Sequence, residues 1–382
     1  MACQFWPVVG VSTVVDQDEG DDVMTSETSH FPFAEFVGAP RDIGTQHGEM
    51  FGDLIRLQLS ETLDAARAHG LTPEAALAWA RDQLSRVELI GSHWTEEIQG
   101  VAHGAGLTFD EVLALQLRPG SGTGGPGLRS PPMPEGCTSF AAIGSATVDH
   151  RSLAGQNRDL GEMYMDRMVV TLLRSDDGPA ILMHSVPGEL GGTGLNSHGV
   201  AVFANSLWAK SGRTWMAPPV LRRAMLEAGS AAEAVACVEA MDQPAVGNFL
   251  VADAERAFNL EILPEGLVVV AIDDGVYAHA NNCTDESLLP YEATERQRPL
   301  PFSEGRRQAL QHALECESGS IDVGVCRRLL SDESGRPEPV CRRANTGDPF
   351  TTVAGLIAQP DDRSLHISFG PPSEGKFRGY CI

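Results

Sequence analysis

Residues 119–135 read PGSGTGGPGLRSPPMPE and are followed at once by Gly136, Cys137 and the strand-like run TSFAAI. Proline cannot donate a backbone hydrogen bond and glycine has no side chain to pack, so this segment holds neither a helix nor a central strand. It therefore predicts a mobile surface loop. Whatever the chain folds into, this loop separates the regular elements before it from those that start at Cys137.

The part before the loop has mainly helical periodicity. Residues 31–37 alternate as a short strand does, but from Pro40 onward apolar residues recur at steps of three and four. Thr72 followed by Pro73 is typical of a capped helix start. The periodicity predicts helices over residues 40–69, 73–89, 95–103 and 109–117.

The part after the loop consists of short β-rich runs, interrupted by helical stretches at 217–228, 230–241 and 303–331. Many antiparallel strands with two groups of helices predict an α+β fold, in which sheets pack together and helices lie outside. Strands are predicted over residues 138–148, 151–160, 168–175, 180–186, 199–207, 249–254, 257–263, 266–272, 276–280, 351–359 and 364–369.

The formal net charge of −24 argues against nucleic acid and membrane as partners, because their phosphates attract lysine and arginine. No apolar stretch approaches about 18 residues, so no transmembrane helix is expected. Residues 1–30 turn acidic after a short apolar run that lacks the positive start of a signal peptide. They are predicted to be a disordered lead-in to a cytoplasmic protein.

The eight cysteines are widely scattered, without C-x-x-C spacing. This distribution is typical of reduced thiols rather than of a disulfide framework. The eleven histidines include no H-x-x-x-H pair. We therefore expect no metal and no cofactor.

The position of Cys137 suits self-cleavage. Its thiol can attack the carbonyl of Gly136 and convert the peptide bond into a thioester that water opens, and glycine has no Cβ to obstruct this attack. The new N-terminal cysteine then carries an α-amine with a pKa of about 7.7–8.0, which suits it as general base for the thiol. The same residues also fit a buried structural cysteine behind an ordinary linker.

Seven sequence blocks follow one another in a set order: APRDIGTQHGEMFG, EEIQGVAHGAG, EGCTSF, AGQNRDL, GLNSHGVAVFANSL, VYAHANNC and VCRRANTG. On these blocks, from about Phe36 to its end, the chain resembles the acyl-coenzyme A:6-aminopenicillanic acid acyltransferase family, the peptidase C45-like group. Members are self-cleaving N-terminal-nucleophile hydrolases. The resemblance implies a four-layer αββα sandwich. Cleavage would divide it into an α subunit, whose folded part is residues 31–136, and a β subunit of residues 137–382.

The resemblance also implies roles for single residues. Cys137 matches the nucleophile, exposed by cleavage after Gly136. Asp159 matches an acid that acts in maturation or orients the site. Asn281 matches the residue whose side-chain amide is expected in the oxyanion hole, and Arg342 matches an arginine that steadies negative charge or holds Asp159.

These residues have other readings when taken alone. Asp159 and Asn281 also suit turns, and Arg343 is as good a candidate as its neighbour Arg342. Thr138 and Asn205 are further candidates for the pocket.

The chain departs from its relatives around the entrance to the expected site. Where many relatives read L-N-x-R-x-E, this chain has LQLRPG and keeps only Arg118 of that pattern. Arg158 stands where relatives that form penicillin have an aromatic residue. These differences leave the substrate open.

The resemblance implies an enzyme that cleaves or forms amide bonds of a small N-acylated amine through an acyl-thioester on Cys137. An acyl-CoA thioester is an alternative donor, as in an acyl-CoA-dependent N-acyltransferase of secondary metabolism. A rival from another class is a relative that never matures and binds a small molecule without catalysis. A third alternative is a thiol hydrolase that stays uncut and uses a separate base such as His279.

Overall fold

A computed structural model describes residues 14–15, 30–119, 136–210, 216–293, 303–335, 339–345 and 350–382. Nearly all of the loop predicted over residues 119–135 lies outside these ranges. So does most of the predicted lead-in, within which residues 14 and 15 form a two-residue strand.

The helices agree closely with the sequence periodicity. The side chain of Thr72 accepts a hydrogen bond from the amide of Ala75, which confirms the predicted cap. The single helix predicted over residues 73–89 divides in two, because Gln83 ends the first part with a bond to Ala80 and begins a second part. The helical stretch predicted over residues 303–331 also divides in two, since a second helix begins after its cap Asp322. The helices are α1 (Pro40–Ala68), α2 (Pro73–Asp82), α3 (Leu84–Ile90), α4 (His93–Ala105), α5 (Phe109–Leu117), α6 (Pro218–Leu226), α7 (Ala231–Glu239), α8 (Ser303–Cys316) and α9 (Val323–Leu330).

The strands likewise follow the β-rich runs, with three additions, Val14–Val15, Thr193–Asn196 and Phe377–Cys381. The strands are β1 (Val14–Val15), β2 (Phe33–Gly38), β3 (Gly136–Ile143), β4 (Leu153–Gly161), β5 (Val169–Ser175), β6 (Ile181–Ser185), β7 (Thr193–Asn196), β8 (Ala201–Asn205), β9 (Gly247–Ala252), β10 (Ala257–Leu263), β11 (Gly266–Ile272), β12 (Gly275–His279), β13 (Phe350–Gln359), β14 (Ser364–Ser368) and β15 (Phe377–Cys381).

These strands form two sheets. The first sheet has the order β1-β15-β14-β13-β4-β3-β12, and the second has the order β11-β10-β9-β8-β7-β6-β5-β2. Within the described residues, β2 and β5 pair in parallel and the other neighbours pair antiparallel. Because β2 precedes residue 136, the N-terminal part of the chain supplies an edge strand to a sheet that the C-terminal part otherwise builds.

Three apolar cores define four layers. One core lies between the two sheets and includes Ala141 and Leu356 from the first and Phe203 from the second. Another packs the second sheet against helices α1 and α4–α7. The third packs the first sheet against α8 and α9, with Phe140 and Leu314 among its members. The chain is thus an α+β protein with the predicted αββα order of layers.

Helices α1 and α4 approach each other at the backbone because both carry glycines four residues apart. A Cβ at Gly44 would overlap the carbonyl of Glu97, and one at Gly104 would overlap the carbonyl of Thr45. Two of the sequence blocks, APRDIGTQHGEMFG and EEIQGVAHGAG, contain these glycines. Close helix packing therefore accounts for the glycines that carry part of the family resemblance.

A buried ion pair joins helices from the two sides of the loop at 119–135. Arg223 of α6 donates to both carboxylate oxygens of Glu97 in α4, at 3.1 and 2.7 Å, and also binds Glu227 at 2.7 Å. Burial alone would lower the pKa of Arg223, but Glu97 and Glu227 raise it. Arg223 therefore stays charged, and its bonds to Glu97 connect the parts of the chain that are predicted to form the α and β subunits.

Replacing Glu97 with alanine is expected to lower the free energy of unfolding by about 3–5 kcal/mol, because it leaves the buried Arg223 charge poorly compensated. Urea denaturation of the purified protein measures this change. Glu96→Ala is the matched control, since Glu96 is exposed on the same helix, and it should change stability by about 0.5 kcal/mol or less. Equal effects of the two substitutions would contradict a role for the ion pair.

No helix within the described residues is long and apolar enough to cross a membrane.

Candidate active site

Strands β3 and β4 place the predicted nucleophile and the predicted acid on opposite faces of the first sheet. Cys137 lies directly opposite Arg158, and the residue before Cys137 lies opposite Asp159. Side chains alternate along a strand, so Cys137 and Asp159 project from different faces. Ser139 shares the face of Cys137 and accepts a hydrogen bond from Asn205 of the second sheet at 2.7 Å. Cys137 therefore faces the space between the sheets.

Asn281 holds the backbone nitrogen of Cys137. That nitrogen donates to Oδ1 of Asn281 at 2.8 Å, and Arg306 of α8 donates to the same oxygen at 2.7 Å. The side-chain nitrogen of Asn281 donates to the carbonyl of Ser206 at 3.1 Å. Its oxygen thus faces the nitrogen of Cys137, which would become the α-amine of a cleaved chain. The role of its side-chain amide in an oxyanion hole stays a prediction.

Asp159 lies among buried polar groups on the helical face of the first sheet. Its Oδ1 accepts a hydrogen bond from Thr352 at 2.6 Å, and its Oδ2 lies 3.7 Å from Nη1 of Arg342 and 4.0 Å from Nε of Arg306. Thr352 also accepts from the backbone nitrogen of Arg342 at 2.8 Å. Thr352 therefore fixes the carboxylate and the arginine relative to each other.

Gly136 fits closely against this group. A Cβ at Gly136 would overlap Nη1 of Arg342 and would lie 3.0 Å from Oδ2 of Asp159. Arg342 is only 1% exposed, so it has little room to move away. A side chain directly before Cys137 would therefore force Arg342 or the peptide itself to move.

The two further pocket candidates are both buried near Cys137. Thr138 accepts a hydrogen bond from Nε of Arg306 at 3.2 Å, on the helical face. Asn205 binds Ser139 and donates to Asn248 at 2.7 Å, between the sheets. Asn205 is thus part of a polar connection between the two sheets.

The structure distinguishes the two adjacent arginines. Arg342 is buried beside Asp159, whereas Arg343 is partly exposed and pairs with Glu333 at 2.8 Å and with Glu374 at 2.7 Å. Its position beside Asp159 therefore makes Arg342, rather than Arg343, the candidate site residue.

His279, the alternative base, is turned toward other partners. Its Nε2 lies 2.8 Å from Glu261 and its Nδ1 lies 2.8 Å from the carbonyl of Ala280. Burial would raise the pKa of Glu261, but the hydrogen bonds from His279 and Thr284 outweigh it and lower this pKa. Both ring nitrogens are engaged, so His279 holds the turn that carries Asn281 and is poorly placed to serve the thiol.

Arg306, like Thr352, lies near the site and was not predicted from the sequence. It is 2% exposed and reaches Asn281, Thr138 and Asp159. An arginine within a helical stretch usually extends into solvent, so the sequence offered no reason to place Arg306 in the site. The helical spacing could have indicated its burial, because Arg306, Leu310 and Leu314 recur every four residues on the buried face of α8.

Among the described residues, no group of three or more histidine, cysteine, aspartate or glutamate side chains is arranged to hold a metal ion.

Two stacked sheets between helical layers, with a cysteine at the start of a strand that faces the space between the sheets, define a class of proteins. The chain has the αββα sandwich that the family resemblance implied.

The family follows from sequence comparison. A profile of the family described as "Acyl-coenzyme A:6-aminopenicillanic acid acyl-transferase" matches residues 147–374, which is more than half of the chain. The chain belongs to this family. Membership of this family makes the chain an enzyme.

A curated relative covers almost the same length. The chain is 26% identical over 346 residues to "Acyl-coenzyme A:6-aminopenicillanic-acid-acyltransferase 40 kDa form" of Emericella nidulans, an alignment covering 88% of this chain and 92% of the relative.

Solved structures show a weaker likeness. A mutant of conjugated bile acid hydrolase from Clostridium perfringens has a TM-score of 0.45 at 12% identity, covering 64% of this chain and 97% of that one. Penicillin V acylase from Agrobacterium tumefaciens has a TM-score of 0.41 at 11% identity, covering 61% and 83%.

Proposed function

We propose that this protein is a self-processing cysteine enzyme that cleaves itself between Gly136 and Cys137 and then cleaves or forms amide bonds of small N-acylated amines. The observation that carries the proposal is the 2.8 Å hydrogen bond from the Cys137 nitrogen to Asn281. A side-chain acceptor at this nitrogen suits an α-amine that must be held beside its own thiol. Family membership supports the same chemistry.

In the maturation step, the Sγ of Cys137 attacks the carbonyl carbon of Gly136. A C–S bond forms, the C–N bond of the peptide breaks, and the thiol proton passes to the departing nitrogen. Water then attacks the thioester, which gives the carboxylate of Gly136 and restores the thiol. Arg342 and Asp159 lie against Gly136 and are suited to hold the peptide in place.

In the catalytic step, the new α-amine takes the proton of its own thiol, and the thiolate attacks the substrate carbonyl. The amine of the substrate leaves with a proton, and its acyl group remains on Sγ as a thioester. Asn281 orients the α-amine through Oδ1. Each step uses the thiol and the amine of the chain, so we propose that no cofactor takes part.

The group that resolves the acyl-enzyme decides the name of the reaction. Water gives an amide hydrolase, and an amine gives an acyltransferase. The extended similarity to an acyltransferase supports the second outcome, with an acyl-CoA thioester as an alternative donor.

Intact mass spectrometry of the purified protein tests the proposal. Maturation predicts that the 40.8 kDa chain is replaced by two chains of about 14 and about 26 kDa, prorated by length. Incubation with N-acyl amides, with and without an added amine or an acyl-CoA thioester, then separates hydrolysis from transfer. A single uncut chain with full activity would overturn the proposal.

Replacing Asn281 with alanine is expected to lower kcat/KM of the mature enzyme about 100-fold, because the α-amine loses its orienting acceptor. A hydrogen bond to Oδ1 favours the protonated amine, so its loss should lower the apparent pKa of that amine. The acidic limb of the pH–rate profile should therefore move to lower pH.

The matched control is Asn282→Ala. Asn282 is the adjacent amide but binds Ser303 and Glu304 instead of Cys137, so this change should leave the limb in place. A lower rate for Asn281→Ala with an unmoved limb would contradict the orienting role and favour the oxyanion role.

A further inference from the structure

Arg158 is a charged residue beside the predicted nucleophile that the proposed mechanism does not use. It lies directly opposite Cys137 in the pairing of β3 with β4. Opposed residues of an antiparallel pair share one face, with Cβ atoms about 4.5–5.5 Å apart. Gln156, two residues earlier on β4, reaches the carbonyl of Ala204 in the second sheet, which confirms the face. Arg158 and Cys137 therefore project together between the sheets.

The second sheet holds the guanidinium of Arg158 in position. Its Nη1 lies 3.2 Å from Nδ1 and 3.2 Å from the carbonyl oxygen of His184 in β6. Burial, together with the charges of Arg158 and Arg222, lowers the pKa of His184 well below its usual value. His184 is therefore neutral near pH 7 and orients Arg158 without cancelling its charge.

The surroundings of this pair are also cationic. Arg222, the second charge that acts on His184, lies 3.3 Å from Glu189, and the same carboxylate binds Arg118. Glu189 is thus shared between two arginines. In a protein with a net charge of −24, the guanidinium of Arg158 beside Cys137 suits an anionic ligand. Arg158 itself is partly exposed, which makes it accessible to one.

We propose that Arg158 binds a carboxylate of the substrate and so selects acidic N-acylated amines. Arginine and carboxylate pair through two parallel hydrogen bonds, which fixes orientation as well as charge. The carboxylate is part of either the amine or the acyl portion. This inference rests on the proposed function, because it names the substrate class of the same thiol.

The first experiment needs no knowledge of the substrate. The mature protein is treated with iodoacetate, which is anionic, or with neutral iodoacetamide, and peptide mass spectrometry follows alkylation of Cys137. Arg158→Gln is expected to lower the ratio of the iodoacetate rate to the iodoacetamide rate about tenfold. Arg158→Lys keeps the charge and should retain part of the preference.

Arg151→Gln is the matched control. It removes the same charge just before the other end of β4, where Arg151 pairs with Asp362 at 2.8 Å, and it should leave the ratio unchanged. An equal ratio in the wild type and in Arg158→Gln would overturn the inference.

A second experiment identifies the position of the carboxylate. N-acylglycine is compared with N-acylglycinamide, and a succinyl amide is compared with the butanoyl amide of the same amine. The preference is the kcat/KM of the acidic substrate divided by that of its neutral partner. In one of the two comparisons, Arg158→Gln should reduce this ratio by about 10-fold or more. Loss of neither preference would also overturn the inference.

Intact mass keeps the two proposals apart. A protein that stays one chain with an unreactive Cys137 contradicts the proposed function. A mature protein with a reactive Cys137 whose selectivity ignores Arg158 contradicts only this inference.

Discussion

Cys137→Ala is expected to leave a single chain of 40.8 kDa with no measurable amide hydrolysis or acyl transfer. The substitution removes both the thiol that attacks the Gly136 carbonyl and the atom that carries the acyl group. Removing the nucleophile from other acyl-transferring enzymes costs about 10⁶-fold in kcat. Intact mass and an N-acyl amide assay on the same preparation measure both effects.

A second cysteine serves as the control for this result. Cys316 is exposed at the end of α8, so Cys316→Ala should mature and act like the wild type. Far-ultraviolet circular dichroism establishes that Cys137→Ala is folded. If folded Cys137→Ala still appeared as two chains, another group would have to cut the chain and the maturation mechanism would be wrong.

Gly136→Ala is expected to slow self-cleavage about 100-fold or more. The added methyl group would overlap Nη1 of the buried Arg342 and would crowd Oδ2 of Asp159. The scissile peptide or the arginine must then move, and misplacement by about 1 Å is enough to cost about 100-fold in rate. The measurement is the fraction of uncut chain over time after purification.

The same substitution at Gly161 provides the comparison. Gly161 ends β4, and the nearest atom to a Cβ there is Cγ of Met163 at 3.9 Å, an ordinary contact. Gly161→Ala should therefore mature at the wild-type rate. Maturation of Gly136→Ala at the wild-type rate would show that the close fit at Gly136 has no part in cleavage.

Cleavage should not separate the two resulting chains. β2 pairs with β5 along the edge of the second sheet, and Glu97 binds Arg223 across the same boundary. The first contact lies in the second sheet and the second lies between helices packed on it, whereas Gly136 lies in the first sheet. These contacts should therefore hold the two chains together after a single cut before Cys137.

Much of this organisation can be predicted from the sequence, because it depends on local patterns. The helical steps from Pro40 onward, the Thr72 cap and most of the short β-rich runs correspond to observed elements. The order of seven blocks predicted the family, which the profile match establishes. The strand that contains Cys137 (Gly136–Ile143) follows from the change in composition after the Gly/Pro-rich run.

Other features depend on contacts between distant segments, which no local pattern contains. The sequence gives the alternation along β3 and β4, but only their register places Arg158 beside Cys137 and Asp159 beside Gly136. Arg306 is 168 residues from Thr138 in the chain and becomes part of the site only when α8 packs on the first sheet. Side-chain identity thus determined the available chemistry, whereas the pairing of strands and the packing of layers decided which groups meet, because both are set by burial across the whole chain.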